Sequence, residues 1–227
     1  MINKHELFIE FYKNKNYEYL KEILKNTTDS AQKSYLARIY TKENNYELAG
    51  KIYKSIGYLY EYGRCLLLQG KAEKAKILWN SLEPASPAIL WGQSLIEFIE
   101  MYVVHIPTFF QIRSFLEMDL DAMLNAGQIR YAENIINGAD LFARANTESY
   151  KFIARVLVNN NYHKLAEVFL EKAKDICYVD PEVHFLCAKC SLFYNDKTAA
   201  IKSLKTAIDE GFGYYPAKKL LDEINLA

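Results

Sequence analysis

The chain has 227 residues, 28 of them basic and 28 acidic. The resulting zero formal charge excludes the excess of Lys and Arg that a dedicated nucleic-acid or membrane-surface binder needs. Nine glycines and five prolines are too few for the turns of a β-sandwich or barrel, and a 51% hydrophobic composition fills one large domain or two small ones.

Apolar residues recur at helical spacing nearly throughout, as in Leu165, Val168, Phe169 and Ala173 or Ile201, Leu204 and Ile208. Breakers divide the chain at short intervals, among them Asn14 to Asn16, Thr27 to Ser30, Asn44-Asn45, Gly70, Pro84 to Pro87, Pro107, Ala126-Gly127, Asn159 to Asn161, Asp180-Pro181, Asn195-Asp196 and Gly211 to Gly213. The runs between them predict about fourteen helices joined by short turns, hence a stack of helical hairpins. A first, degenerate hairpin is predicted over Leu7 to Lys25. Ser86 to His105 reads as a single long linking helix bounded by prolines. Its neighbourhood holds Trp91, Phe98, Tyr102, Phe109 and Phe110, which either pack a joint or form a surface for a partner or a second copy of the chain. Pro216 to Leu226 mixes charged and apolar residues as a capping helix with one wet face does.

The sequence repeats itself at a period of 34. Ala166, Leu170 and Ala173 shift forward onto Ala200, Leu204 and Ala207, and backward onto Ala132, Ile136 and Ala139. Leu120, Ala154 and Ala188 on the preceding helices obey the same shift. Small residues let two helices approach closely, and the larger one fills the gap toward the next unit.

In this the chain resembles the tetratricopeptide repeat family. The family's eighth positions fall on Ala37, Gly63, Leu120, Ala154 and Ala188, and its twentieth on Ala49, Ala75, Ala132, Ala166 and Ala200. Its twenty-fourth fall on Tyr53, Trp79, Ile136, Leu170 and Leu204, and its twenty-seventh on Ile56, Leu82, Ala139, Ala173 and Ala207. Ala49 to Ala75 is 26 residues rather than 34, and the family's late proline is displaced, with Pro84 and Pro181 nearest. The resemblance is absent from Pro84 to Phe110. It implies an all-α, right-handed α-α superhelix of about six hairpins with a linking helix and a capping helix. The expected divisions are 1–83, 84–107 and 108–227 within one continuous solenoid.

The resemblance also implies a concave groove lined by positions two, five, nine, twelve and thirteen of each unit. The ninth positions are Arg38, Arg64, Asp121, Arg155 and Lys189, and Lys151 is a fifth position. Arg38, Arg64, Lys151, Arg155 and Lys189 are therefore the candidate groove residues. Their partner would be a protein or peptide with acidic side chains or a free C-terminus. Glu117 and Asp121 stand one repeat before Lys151 and Arg155, which sets mutual neutralisation against a ligand role. Arg155 also stands where carboxylate-clamp members have Asn.

No other pattern nominates chemistry. His184, Cys187 and Cys190 are spaced like metal ligands, but on one helix they point too far apart to converge on an ion. Glu117 and Asp121 share a helix face, an arrangement commoner in solvated surfaces than in acid–base pairs. His5, His105 and His163 spell no triad, and Gly211-Phe212-Gly213 is no phosphate loop. The expectation is a non-enzymatic binding scaffold with no metal or cofactor, no nucleic-acid or membrane partner, and self-association through residues 91–110 as the alternative. With no apolar leader and no membrane-length apolar run, the cytoplasm is the expected compartment, and Cys65, Cys177, Cys187 and Cys190 are expected as free thiols.

Overall fold

A computed structural model describes residues 16–83 and 86–226. Leu7, His5 and Pro84 lie outside the described residues. Fourteen α-helices and no strand occur among them, and no helix is long and apolar enough to cross a membrane. The chain divides into two compact units, one ending at Ile96 and the other running from Glu97 onward.

The first unit contains α1 (Tyr17–Leu24), α2 (Ser30–Lys42), α3 (Tyr46–Ser55), α4 (Leu59–Leu68), α5 (Ala72–Asn80) and most of α6 (Pro87–Ile99). From α1 to α5 each helix packs on the next. Asp29 opens α2 by accepting the Gln32 amide at 2.8 Å, and Asn45 opens α3 by accepting that of Leu48 at 3.2 Å. Such caps satisfy donors that the first helical turn leaves unpaired. The small positions keep their predicted role, since Ala37, Ala49 and Ala75 have no exposure at all. Gly63 and Gly92 flank the Trp79 ring so closely that a Cβ on either would lie 2.3 or 2.7 Å from it. Tyr60 stacks on the same indole at 5.9 Å, and Trp91 is likewise fully buried.

The second unit contains the end of α6, then α7 (Phe109–Asn125), α8 (Ile129–Asn137), α9 (Ala139–Ala145), α10 (Ser149–Asn159), α11 (His163–Ile176), α12 (Pro181–Phe193), α13 (Lys197–Glu210) and α14 (Tyr215–Leu226). Thr108 and Gln111 form a capping box at the start of α7. Ala132, Ala154, Ala166, Ala188, Ala200 and Ala207 are buried, with Leu120, Leu170 and Leu204 against them. Ala217, Leu220, Leu221 and Ile224 of α14 extend the cluster built by Ala188, Ala200, Leu204 and Ala207.

One turn recurs in both units. The pairs α2–α3, α4–α5, α7–α8, α10–α11 and α12–α13 are joined through Asn44, Gly70, Gly127, Asn161 and Asn195, all with φ between 60° and 73°. In each the next amide reaches back five residues, from Asn45 to Tyr40, Lys71 to Leu66, Gln128 to Met123, Tyr162 to Leu157 and Asp196 to Ser191, at 2.8–2.9 Å. Asn and Gly tolerate this left-handed conformation best, so they close the helix and fold the chain back.

Two stretches depart from the sequence expectation. The linking helix does not run from 86 to 105 but covers Pro87–Ile99. Met101 takes φ 58° and the Tyr102 amide bonds the Glu97 carbonyl at 2.9 Å, which ends the helix before the β-branched pair Val103-Val104. The third alanine repeat also breaks at Gly138, splitting one expected helix into α8 and α9. A Cβ there would lie 2.3 Å from the Phe98 ring, which stacks on Phe142 at 4.1 Å.

Beyond α6 the chain is held by one carboxylate. Glu97 accepts the Val104 and His105 amides, each at 2.8 Å, and faces the His105 ring nitrogen at 2.9 Å. Burial would raise this carboxyl, but the bonds from the His105 ring and the two amides outweigh it and hold Glu97 below its ordinary value of 4.5. A depressed carboxyl stabilises the fold above the unfolded pKa, and that contribution disappears as the pH falls through the folded one. Glu97→Gln is expected to speed hydrogen exchange at Val104 and His105 severalfold at neutral pH, with less difference from wild type in acid. Unchanged exchange at both amides would show that the carboxylate is not the anchor.

Candidate interaction face of the second unit

The α7, α10 and α12 helices are successive neighbours, α10 packing on both of the others, and charged side chains ladder across them. Arg155 on α10 donates from Nη1 to both Glu117 oxygens at 2.6 and 2.7 Å. Its Nε and Nη2 donate to the two oxygens of Glu182 at 2.7 and 2.6 Å. Lys151, a buried residue one turn earlier, donates to Glu148 at 2.9 Å and to Asp180 at 2.6 Å. Arg113 closes the outer end on Glu148 at 3.2 Å. Two-pronged guanidinium–carboxylate bonds are among the strongest polar contacts available to side chains.

The charges in this cluster nearly cancel. Arg113, Lys151 and Arg155 stand against Glu117, Glu148, Asp180 and Glu182. Burial pushes the Glu117 carboxyl above its usual 4.5, with Arg155 opposing and Glu182 reinforcing the rise. Burial would lower Arg155, yet its two carboxylate partners hold it above its usual value. Four N–H···O bonds of 2.6–2.7 Å hold the guanidinium of Arg155 between the carboxylates of Glu117 and Glu182. Lys151 and Arg155 therefore already have carboxylate partners within the chain, and Asp121 accepts from Asn160 at 2.8 Å.

Lys189 on α12 differs. Among the described residues it has no carboxylate partner, and its amine meets only the Asn159 side-chain oxygen at 3.2 Å. It lines an open hollow of about 590 Å³ between α12 and α14, together with Phe185, Leu192, Phe193 and Leu220. Phe185, Lys189, Leu192 and Phe193 are the fifth, ninth, twelfth and thirteenth positions of one repeat. Four of the five positions at which the resemblance implies a groove thus line one hollow, while the second position of the same repeat, Glu182, pairs with Arg155. Apolar and aromatic walls with a few polar groups are the usual make-up of ligand sites.

The remaining candidates lie elsewhere. Arg38 and Arg64 belong to the first unit, where their guanidinium groups sit over Tyr35 at 5.7 Å and Tyr60 at 6.0 Å. Trp91 and Phe98 are interior residues rather than surface. Tyr102 and Phe110 are 74% and 76% exposed, and Phe109, partly exposed, meets Phe110 edge to face at 5.4 Å. His184 bonds the Tyr178 carbonyl at 2.6 Å. No group of three or more His, Cys, Asp or Glu suited to a metal occurs among the described residues. The four cysteines are free, and burial pushes Cys65 and Cys190 up to about 12 and Cys187 up to about 11, which leaves them as unreactive thiols. Sequence reasoning missed Glu148, Asp180 and Glu182, which stand at helix starts, although Glu148 and Glu182 are the second positions of their repeats.

No protein-family model and no curated protein matches the chain. Among solved structures it is similar to a tetratricopeptide repeat protein from Parabacteroides merdae ATCC 43184, at 17% identity over 98% of this chain and 97% of that one, with a TM-score of 0.42. It is also similar to YrrB, a TPR protein with an unusual peptide-binding site, at 12% identity over 90% of this chain and 96% of that one, with a TM-score of 0.37. Likenesses this remote carry nothing over to the present chain. The helical-repeat architecture rests on its own recurring turns and buried alanines, as an all-α chain of hairpins.

Proposed function

We propose that the chain is a non-enzymatic scaffold that binds a protein or peptide on the helix face formed by α7, α10, α12 and α14. The observation that carries this reading is the hollow around Lys189, where four groove positions of one repeat converge and a cation stands without a carboxylate partner among the described residues. Arg155 and Lys151 serve in this reading as braces between repeats, so the basic character of the groove narrows to Lys189 and Lys219, with Glu223 lining the same hollow. A packed helical stack presents such a surface with little ordering cost on binding. Acidic side chains on the partner match the ammonium group.

The test compares capture of partners from a cell lysate by the wild type, Lys189→Glu and the exposed control Lys202→Glu. A partner retained by the wild type and control but reduced at least about tenfold by Lys189→Glu, a difference of roughly 1.4 kcal/mol, supports the groove. Equal capture by all three sinks it. The exposure of Tyr102 and Phe110 favours a second reading, self-association around residues 102–110. Light scattering over a concentration series separates the two, because Tyr102→Ser/Phe110→Ser would shift an oligomer to monomer while leaving groove binding intact.

A further inference from the structure

A second hollow, of about 550 Å³, lies at the start of α11. Tyr162, Leu165, Val168, Phe193 and Tyr194 wall it, each between 40% and 55% exposed. His163 and Phe193 line this hollow and the groove hollow alike. Their rings stack at 4.0 Å, so the pair forms a ridge with an apolar depression on either side.

The ridge holds an unmatched polar atom. His163 is only 6% exposed, and its Nδ1 has no hydrogen-bond partner among the described residues. Burial and the nearby Lys189 push its pKa below the ordinary histidine value, with Glu167 opposing, so the ring is neutral near pH 7. Buried polar atoms are seldom left without partners, and such an exception calls for an explanation. The first turn of α11 has no side-chain cap, which leaves positive helix-end character beside Lys164. On the groove side stands Lys189, and Lys219 there is only loosely engaged, 4.0 Å from Glu223.

We propose that the bound segment does not end in the groove but crosses the His163–Phe193 ridge as an extended peptide, with one bulky apolar side chain in each hollow and acidic residues flanking the pair. This rests on the groove reading above and adds the second anchor and the path. In an extended chain, side chains two residues apart point the same way at about 7 Å separation, roughly the breadth of a benzene ring. A peptide on this path lies across the stacked His163 and Phe193 rings. The flanking carboxylates meet Lys189 at one end, and Lys164 with the uncapped helix start at the other.

The probe is a fluorescein-labelled, amidated peptide containing Glu-Leu-Ser-Leu-Glu between Gly-Ser arms, with versions carrying Gln for both Glu or Ser for both Leu. Fluorescence anisotropy against the full chain is expected to show saturable binding, weakened about tenfold by Val168→Asp and severalfold by the Gln peptide. The Ser peptide is expected not to bind. Val168 is half exposed, so its variant is expected to keep wild-type circular dichroism, and histidine-ring NMR is expected to show the His163 resonances moving as peptide is added. Full affinity in Val168→Asp with weakening in Lys189→Glu would overturn the crossing while leaving the groove in place. Weakening in neither variant would overturn both. A dimer that Val168→Asp dissociates would assign the second hollow to another copy of the chain and overturn the peptide path.

Discussion

Replacing Trp79 with alanine is expected to lower the stability of the first unit by about 3–5 kcal/mol, the range for emptying a large aromatic site in a packed core. Its ring is entirely buried and held between the bare backbones of Gly63 and Gly92, with Tyr60 stacked against it. Both glycines belong to helices, so neither can move into the vacancy without dragging its helix along. The converse variant, Gly63→Ala, is expected to be destabilising as well, because its Cβ would meet rigid indole atoms at 2.3 Å. Urea unfolding followed by far-ultraviolet circular dichroism measures both. A cost below about 1 kcal/mol for Trp79→Ala would mean that the surrounding helices collapse freely, contrary to the packing described.

The second large effect is expected at Arg155. Arg155→Leu would leave Glu117 and Glu182, each just over a quarter exposed at the side chain, without the cation between them. Loss of one partner from a fully buried ion pair costs roughly 3–5 kcal/mol. Partial exposure to water reduces the expectation here to about 2–3 kcal/mol. The pH dependence has a definite sign. Burial already raises the Glu117 carboxyl above 4.5, and Glu182 adds to the rise. Removing Arg155 raises it further. A carboxyl with a raised folded pKa takes up a proton more readily in the folded state, so the folded state gains as pH falls through that value. The stability gap between Arg155→Leu and wild type is therefore expected to narrow between neutral pH and the ordinary carboxylate value. A gap that is constant or widens toward acid would show that the two carboxylates do not face each other uncompensated.

The hairpin plan was legible because it rests on local chemistry. The alanines at 34-residue intervals are buried as expected, and every breaker at Asn44, Gly70, Gly127, Asn161 and Asn195 became the same left-handed turn. The end of α6 was not legible. Nothing local marks Met101 as a helix stop, and it depends on the Tyr102 amide reaching Glu97 while that side chain binds residues further on. Gly138 was misleading in the same way, since what it accommodates is Phe98 from 40 residues earlier. The charge pairing was half legible. A repeat shift of 34 aligns Glu117 with Lys151, but α10 lies against α7 so that Glu117 meets Arg155, one helical turn further along. The partners of Lys151 and the second partner of Arg155 come from Glu148, Asp180 and Glu182; Glu148 and Glu182 stand one period of 34 apart, but the period does not say which cation each one meets.

Both tryptophans of the chain, Trp79 and Trp91, lie in the first unit, and both are fully buried. Selective excitation of indole therefore lights one unit and not the other, although backbone dichroism sums over both. Emission that shifts red before the helical signal falls would report the first unit opening on its own, and the reverse order would report the second. The proposed peptide site has no indole in its own unit, so its occupancy is best followed through a dye on the ligand or a tryptophan introduced at Tyr194.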